Sequence, residues 1–227
     1  IMINIISPSW KIDGIETIFF DKDGTIIDSH TYWGRIIEKR SEALISKLHM
    51  DNLKYNKLCE VMGFSRETSK LLPEGPIALV ERDKVVEIVL QYLRTQDITT
   101  TAEEIKKIFS DVHQNFLDEI YDYIKILPGV LNLLKTLKQR NIKTAIITSD
   151  RIVNTEKIIA HLNIKDYFDQ VIGLESTPEP KISGKPAVIA LELMKTEAKH
   201  TICIGDAPMD IIMSKKANLK AAIGIAL

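Results

Sequence analysis

The sequence predicts an α/β protein: a doubly wound, mostly parallel sheet with an all-helical domain inserted after its first strand. Two observations predict it. From about Tyr123 onward, short apolar runs alternate with helically spaced segments, the βα rhythm of a parallel sheet covered on both faces. Between about Thr31 and Tyr123 strand signals nearly vanish, and apolar residues recur at i, i+3 and i+4 instead. With 227 residues, 45% of them hydrophobic, the chain can build one large or two modest cores.

The apolar run Ile15 to Phe20 reads as a strand, ended by Asp21-Lys22-Asp23-Gly24-Thr25. Trp33, Ile36, Ile37, Arg40, Leu44 and Leu48 stripe one face of a first helix, and a second helix is expected near Asn52 to Phe64. A third begins after Pro76, runs through Ile77, Ala78, Leu79 and Val80 and continues to Leu93. Thr100 and Thr101 with Glu103 and Glu104 form overlapping capping boxes before a fourth, Ile105 to Ile120. Leu127-Pro128-Gly129-Val130 then opens a helix through Leu137. Strands are expected at Lys143–Ile147, Phe168–Ile172, Thr201–Ile204 and Ala221–Ile225, with helices at Val153–Leu162, Pro186–Met194 and Ile211–Ala217. The expected domains are a core of residues 1–28 and 125–227 and a helical insertion of residues 29–124.

Lys and Arg total 30 against 31 acids, a net charge of -1, which removes the electrostatic case for nucleic acid or an anionic membrane as partner. A small ligand is expected instead. Cys59 and Cys203 have neither disulfide-framework nor metal-type spacing, so a reducing cytoplasm is expected and both are read as packed thiols. The first twenty residues are too interrupted for a signal sequence, and eighteen apolar residues never run together, so neither secretion nor membrane spanning is expected. The five histidines lack ligand spacing; His30, after the first interdomain link, is the one marked for substrate contact.

Polar residues collect at three predicted strand ends: Asp21 and Asp23, Thr148 and Ser149, and Asp206 with Asp210. In open α/β sheets that edge holds the ligand site. Period-2 geometry gives Asp21 and Asp23 the same general direction, and Gly24 permits a sharp exit. Two unit charges ~4 Å apart repel by roughly 1–4 kcal/mol at dielectrics of about 80 down to 20, so clustered aspartates call for a cation or for protons. Oxygen-only ligands point to Mg²⁺. An aspartate nucleophile, a divalent charge clamp, a hydroxyl donor and a lysine suit attack on a phosphoryl group, giving an aspartyl-phosphate. Taken singly, Thr148-Ser149 is a strand-end hydroxyl pair and Gly205-Asp206 a common turn. Their order along one chain is what argues for a site.

Asp21-Lys22-Asp23-Gly24-Thr25, Thr148-Ser149, a lysine before a helix and Gly205-Asp206-Ala207-Pro208-Met209-Asp210 resemble the four ordered motifs of the haloacid dehalogenase superfamily. Leu127-Pro128-Gly129-Val130 and the Ile146-Ile147-Thr148 strand resemble its phosphoglycolate-phosphatase-like branch, which carries a helical cap after the first motif. The resemblance implies Asp21 as nucleophile and metal ligand, Asp23 as general acid/base and ligand through its carbonyl, and Thr148, with Ser149, as phosphate contact. It implies Asp206 as a metal ligand and Asp210 as a ligand or the partner of a metal-bound water. For the family's phosphate-holding lysine, spacing favours Lys181, 25 residues before Asp206 and 13 after Phe168, with Lys185 the alternative because Lys185-Pro186 keeps the family's common dipeptide. The implied activity is Mg²⁺-dependent hydrolysis of a small phosphorylated metabolite, with cap closure excluding water. A phosphomutase is the alternative. Dehalogenation is disfavoured by a carboxylate at Asp23, and a non-catalytic binding domain by intact Asp21, Asp23 and Asp206. Lys22 is read as solvated or ion-paired.

Overall fold

A computed structural model of the protein describes residues 2–72, 75–76, 82–116 and 119–225. The chain divides into two compact units, residues 1–28 with 125–227, and residues 29–124.

The first unit is built on five parallel strands, β3 (Thr17–Phe20), β6 (Lys143–Ile147), β7 (Gln170–Ile172), β8 (Thr201–Gly205) and β9 (Ala221–Gly224), in the order β7-β6-β3-β8-β9. Every residue of β3 is buried, as a central parallel strand covered on both faces requires. Its register sets Phe20 beside Ile146 on one side and Ile204 on the other, so three strand ends finish level. The helices are α5 (Val130–Gln139), α6 (Ile152–His161), α7 (Lys185–Met194) and α8 (Pro208–Lys216). Phe19, Ala145, Ile147, Cys203, Ala187, Ala190, Met194 and Met213 share one core cluster. Each large apolar side chain so buried contributes roughly 1.5–3 kcal/mol. α8 begins three residues before the predicted Ile211 because Pro208 suits the first helical turn and Asp210 caps it.

An antiparallel hairpin, β1 (Ile3–Ile6) and β2 (Lys11–Ile15), precedes this sheet and was not expected. Its polar residues at Asn4, Ser7, Lys11 and Asp13 mask the strand signal, but the Ser7 amide donates to the Trp10 carbonyl at 2.8 Å and closes the turn. Consequently the predicted strand from Ile15 to Phe20 is split at Glu16 between β2 and β3.

In the second unit, α1 (Ser29–Lys47), α2 (Tyr55–Met62), α3 (Arg82–Thr95) and α4 (Ala102–Phe116) are arranged around Ile37, Leu44, Leu58, Met62, Val85, Val89, Leu93, Ile105 and Phe109. Arg40, placed on the apolar stripe, is buried with its guanidinium 4.5 Å from the Phe109 ring centroid. Thr101 accepts the Glu104 amide at 3.2 Å, the first half of a capping box. Ile77, Ala78, Leu79 and Val80, the start of the predicted third helix, lie outside the described residues. Of the predicted fourth helix, Ala102–Phe116 is helical, residues 117–118 lie outside the described residues, and Ile120–Tyr123 form a 3₁₀ turn. A two-residue hairpin, β4 (Phe64–Ser65) with β5 (Lys70–Leu71), interrupts what the sequence suggested was all helix. Its strands are too short to leave a period-2 signal. The His30 ring accepts the Leu71 amide at 3.1 Å through Nδ1, so this histidine braces β5. Cys59 and Cys203 are buried and unpaired.

The chain leaves the first unit and re-enters it at neighbouring points. The Asp28 amide donates to Lys125 O at 2.9 Å, and Ile27 pairs with Ile126. Among the described residues no helix is long and apolar enough to cross a membrane.

Candidate active site

Asp21 follows the last residue of β3, and its amide continues the ladder by donating to Ile204 O at 2.9 Å. The peptide then turns tightly: the Lys22 carbonyl accepts the amides of Ile26 at 2.9 Å and Ile27 at 3.1 Å. Gly24 is held at φ +79°, and a β-carbon there would lie 2.0 Å from Asp206 Oδ2. A side chain at 24 is thus excluded twice, by conformation and by the carboxylate from β8. Gly205 makes a comparable gap for Asp210, whose Cγ a β-carbon would meet at 2.2 Å.

These gaps bring carboxylates from two adjacent strand ends together. Asp21, Asp206 and Asp210 each offer an oxygen within 4.8 Å of the others. Asp210 is 1% exposed; its Oδ2 accepts the Ala207 amide at 3.1 Å. Lys181, in a 3₁₀ turn Lys181–Ser183, places Nζ 2.5 Å from Asp21 Oδ1 and 2.6 Å from Asp210 Oδ1, the second contact an ion pair short of hydrogen-bond geometry. Lys185, the other lysine of this segment, is exposed at the start of α7. The left-handed Gly184 between them separates the two directions.

Thr148 follows β6 and is buried, its Oγ1 accepting the Asp150 amide at 3.1 Å, which leaves the hydroxyl proton free to donate. Ser149 beside it is exposed. The Asp23 side chain is not part of the Asp21 cluster; both its oxygens meet Lys22 Nζ, at 3.1 and 2.9 Å. Lys22 is fully buried and also reaches Asp150 Oδ2 at 3.3 Å. Sequence reasoning allowed Lys22 an ion pair but missed Asp150, although a lysine inside a strand-end motif already implied a counter-charge from elsewhere.

The electrostatics follow from the crowding. Burial raises the Asp21 carboxyl above the ordinary range, opposed by Lys181 and reinforced by Asp210. Burial likewise raises Asp23, against the pull of Lys22. Asp206 reaches solvent, yet the crevice strips part of its hydration and Asp21 adds like charge, pushing its carboxyl up to about 6. Burial alone would depress Lys181, but Asp21 and Asp210 outweigh it and hold the ammonium charged. Asp206 also borders a concavity of about 440 Å³ with Ala207, Pro208, Ile211, Ile212 and Gly224, an apolar lining that offers no phosphate ligand.

An open parallel sheet whose strand ends gather a carboxylate cluster around a buried lysine is a framework suited to a hydrolase. The chain belongs to the haloacid dehalogenase-like hydrolases, whose family profile matches residues 15–218. A phosphoglycolate phosphatase of Aquifex aeolicus is 26% identical over 212 residues, covering 93% of this chain and 85% of that protein. A pyrophosphatase PpaX of Oceanobacillus iheyensis is 26% identical over 209 residues, 92% of this chain and 82% of its relative. A PpaX-named protein of Caldanaerobacter subterraneus is 32% identical over 119 residues, and that match spans only 53% of the relative's length. Among solved structures, one described as a predicted phosphoglycolate phosphatase from Haemophilus somnus aligns with a TM-score of 0.72 at 19% identity, over 93% of this chain and 85% of the other.

The donor set suits a hard divalent cation. Three carboxylates offer oxygens at short range, among the described residues no sulfur or imidazole joins them, and Asp210 Oδ1 lacks a well-formed hydrogen bond.

Proposed function

We propose that this haloacid dehalogenase-type phosphatase is a Mg²⁺-dependent hydrolase of small phosphomonoesters, phosphoglycolate-like in chemistry, acting through an aspartyl-phosphate on Asp21. The observation that carries this reading is the convergence of Asp21, Asp206 and Asp210 on one point, with Lys181 seated against Asp21. Asp21, Asp206, the Asp23 carbonyl and Asp210, directly or through a water, would hold a divalent ion, which would supply charge neutralisation for the transferring phosphoryl group. Thr148, with Ser149 at the rim, and Lys181 hold the phosphoryl oxygens.

In the first half-reaction an Asp21 carboxylate oxygen bonds to phosphorus as the ester P–O bond breaks, and the leaving oxygen takes a proton from Asp23. In the second, water bonds to phosphorus as the Asp21–phosphorus link breaks, and Asp23 takes the water proton back. Substrate choice is assigned to the helical unit. A cytoplasmic site of action fits the two buried free thiols. Hydrolysis is preferred to a mutase because relatives that match along most of their length carry phosphatase or pyrophosphatase names.

A panel of phosphomonoesters with pyrophosphate, assayed with and without Mg²⁺, tests this. Free phosphate release that vanishes with chelator is expected. Metal-independent turnover sinks the reading, and an isomerised sugar phosphate in place of free phosphate makes the protein a mutase.

The Asp206 shift gives a second test. In the cation-free protein the folded-state carboxyl sits near 6, above its ordinary 3.8, so its ionisation opposes folding. That cost is fully present above about 6 and is relieved as pH falls toward 3.8. Cation binding removes it and competes with the proton. The rise in melting temperature given by Mg²⁺ should therefore shrink as pH drops through about 6. A rise constant over that range contradicts Asp206 as a ligand.

A further inference from the structure

Lys22 is a fully buried charge that the reaction above does not use. Its side chain is 0% exposed, while the two carboxylates it joins, Asp23 and Asp150, are each 24% exposed. Asp150 is anchored in turn: its Oδ1 accepts the Arg151 amide at 2.7 Å and the Asn154 side-chain amide at 3.3 Å, both at the start of α6. A continuous chain of contacts thus runs from α6 through Asp150 and Lys22 to both oxygens of Asp23. Burying an ammonium between two carboxylates gives stability no better than an apolar replacement of equal size gives. What it does supply is orientation, because a carboxylate gripped through both oxygens cannot rotate freely, while its partial exposure leaves the outward lone pairs open to a substrate.

We infer that Lys22 and Asp150 are positioning residues that hold Asp23 in the orientation for proton transfer, so that the protonation of the leaving group and the activation of water depend on a lysine–aspartate bridge between the ends of β3 and β6. This rests on the assignment of Asp23 as acid and base. Lys181 serves the opposite carboxylates, Asp21 and Asp210, so the two lysines divide the site into a phosphoryl-holding side and a proton-handling side.

The leaving group separates this role from a merely structural one. An alkyl phosphate needs a proton on its departing oxygen, whereas p-nitrophenyl phosphate expels a stable phenolate without one. Lys22→Met should slow the first turnover of an alkyl phosphate by about 10²-fold. With p-nitrophenyl phosphate the variant should still release about one equivalent of nitrophenol per site within about threefold of the wild-type rate, then turn over slowly because water activation is impaired. Asp150→Asn, at a partly exposed position, should show the same pattern with a loss of about tenfold, and the double variant should be no worse than Lys22→Met alone. Should Lys22→Met not fold, the Asp150→Asn pattern decides by itself. Equal slowing of both substrates in the first turnover, or no slowing of either, overturns the inference. Failure of the parent reading shows instead in the wild type, as absence of phosphate release from both esters, or in Asp21→Asn, as retained turnover.

Discussion

Asp21→Asn abolishes phosphate release while the fold stays intact: turnover falls by at least about 10⁴-fold, and the melting temperature holds or rises by a few degrees in the absence of cation. The two halves of this result have separate causes. The amide oxygen is too weak a nucleophile to displace the ester oxygen, so the first bond to phosphorus does not form. Stability moves the other way because the native environment already penalises the ionised Asp21, mainly through burial. A neutral side chain of the same shape avoids that penalty. Lys181 keeps Asp210 as its partner at 2.6 Å. Phosphate release and a melting curve on the same preparation check both parts. Residual turnover within tenfold of wild type would falsify the role given to Asp21.

Lys181→Met has the second largest effect, a loss of about 10³-fold in turnover, whereas Lys185→Met stays within about threefold of wild type. Lys181 is 4% exposed at its side chain and stands between two carboxylates. Without it, Asp21 and Asp210 are left as buried anions with no ammonium between them, costing about 3–5 kcal/mol unless a proton or cation replaces the lost charge. Mg²⁺ should therefore raise the melting temperature of Lys181→Met more than that of the wild type, yet leave its activity low. Equal losses at 181 and 185, or full recovery of turnover with Mg²⁺, would contradict a single phosphate-holding lysine.

The parallel sheet was legible because β3, β6 and β8 are short apolar runs followed abruptly by polar residues, and that abruptness also located Asp21, Thr148 and Asp206. Local pattern suffices where a side chain's position follows from its own strand. It fails where position depends on a distant segment. Between Lys181 and Lys185 the local pattern is divided, spacing favouring the first and the Lys-Pro dipeptide the second, and the 3₁₀ turn with the left-handed Gly184 carries Lys181 to the carboxylates. Lys22 and Asp150 are 128 residues apart, and nothing near either announces the pairing. The β1–β2 hairpin escaped notice for a different reason: Asn4, Lys11 and Asp13 stand at its exposed positions beside an exposed Ile6, and neither strand belongs to the main sheet.

The placement of β3 between β6 and β8 has a consequence for synthesis. Asp206 lies 185 residues after Asp21, although the strands that carry them are adjacent. A nascent chain that has emerged from the ribosome only as far as β6 holds Asp21 but neither Lys181 nor Asp206 and Asp210, which follow β8. Such a chain has one carboxylate of the three that meet in the finished crevice. Long-range parallel pairing also forms late and slowly, so the reactive crevice is completed only when the middle of the sheet is closed.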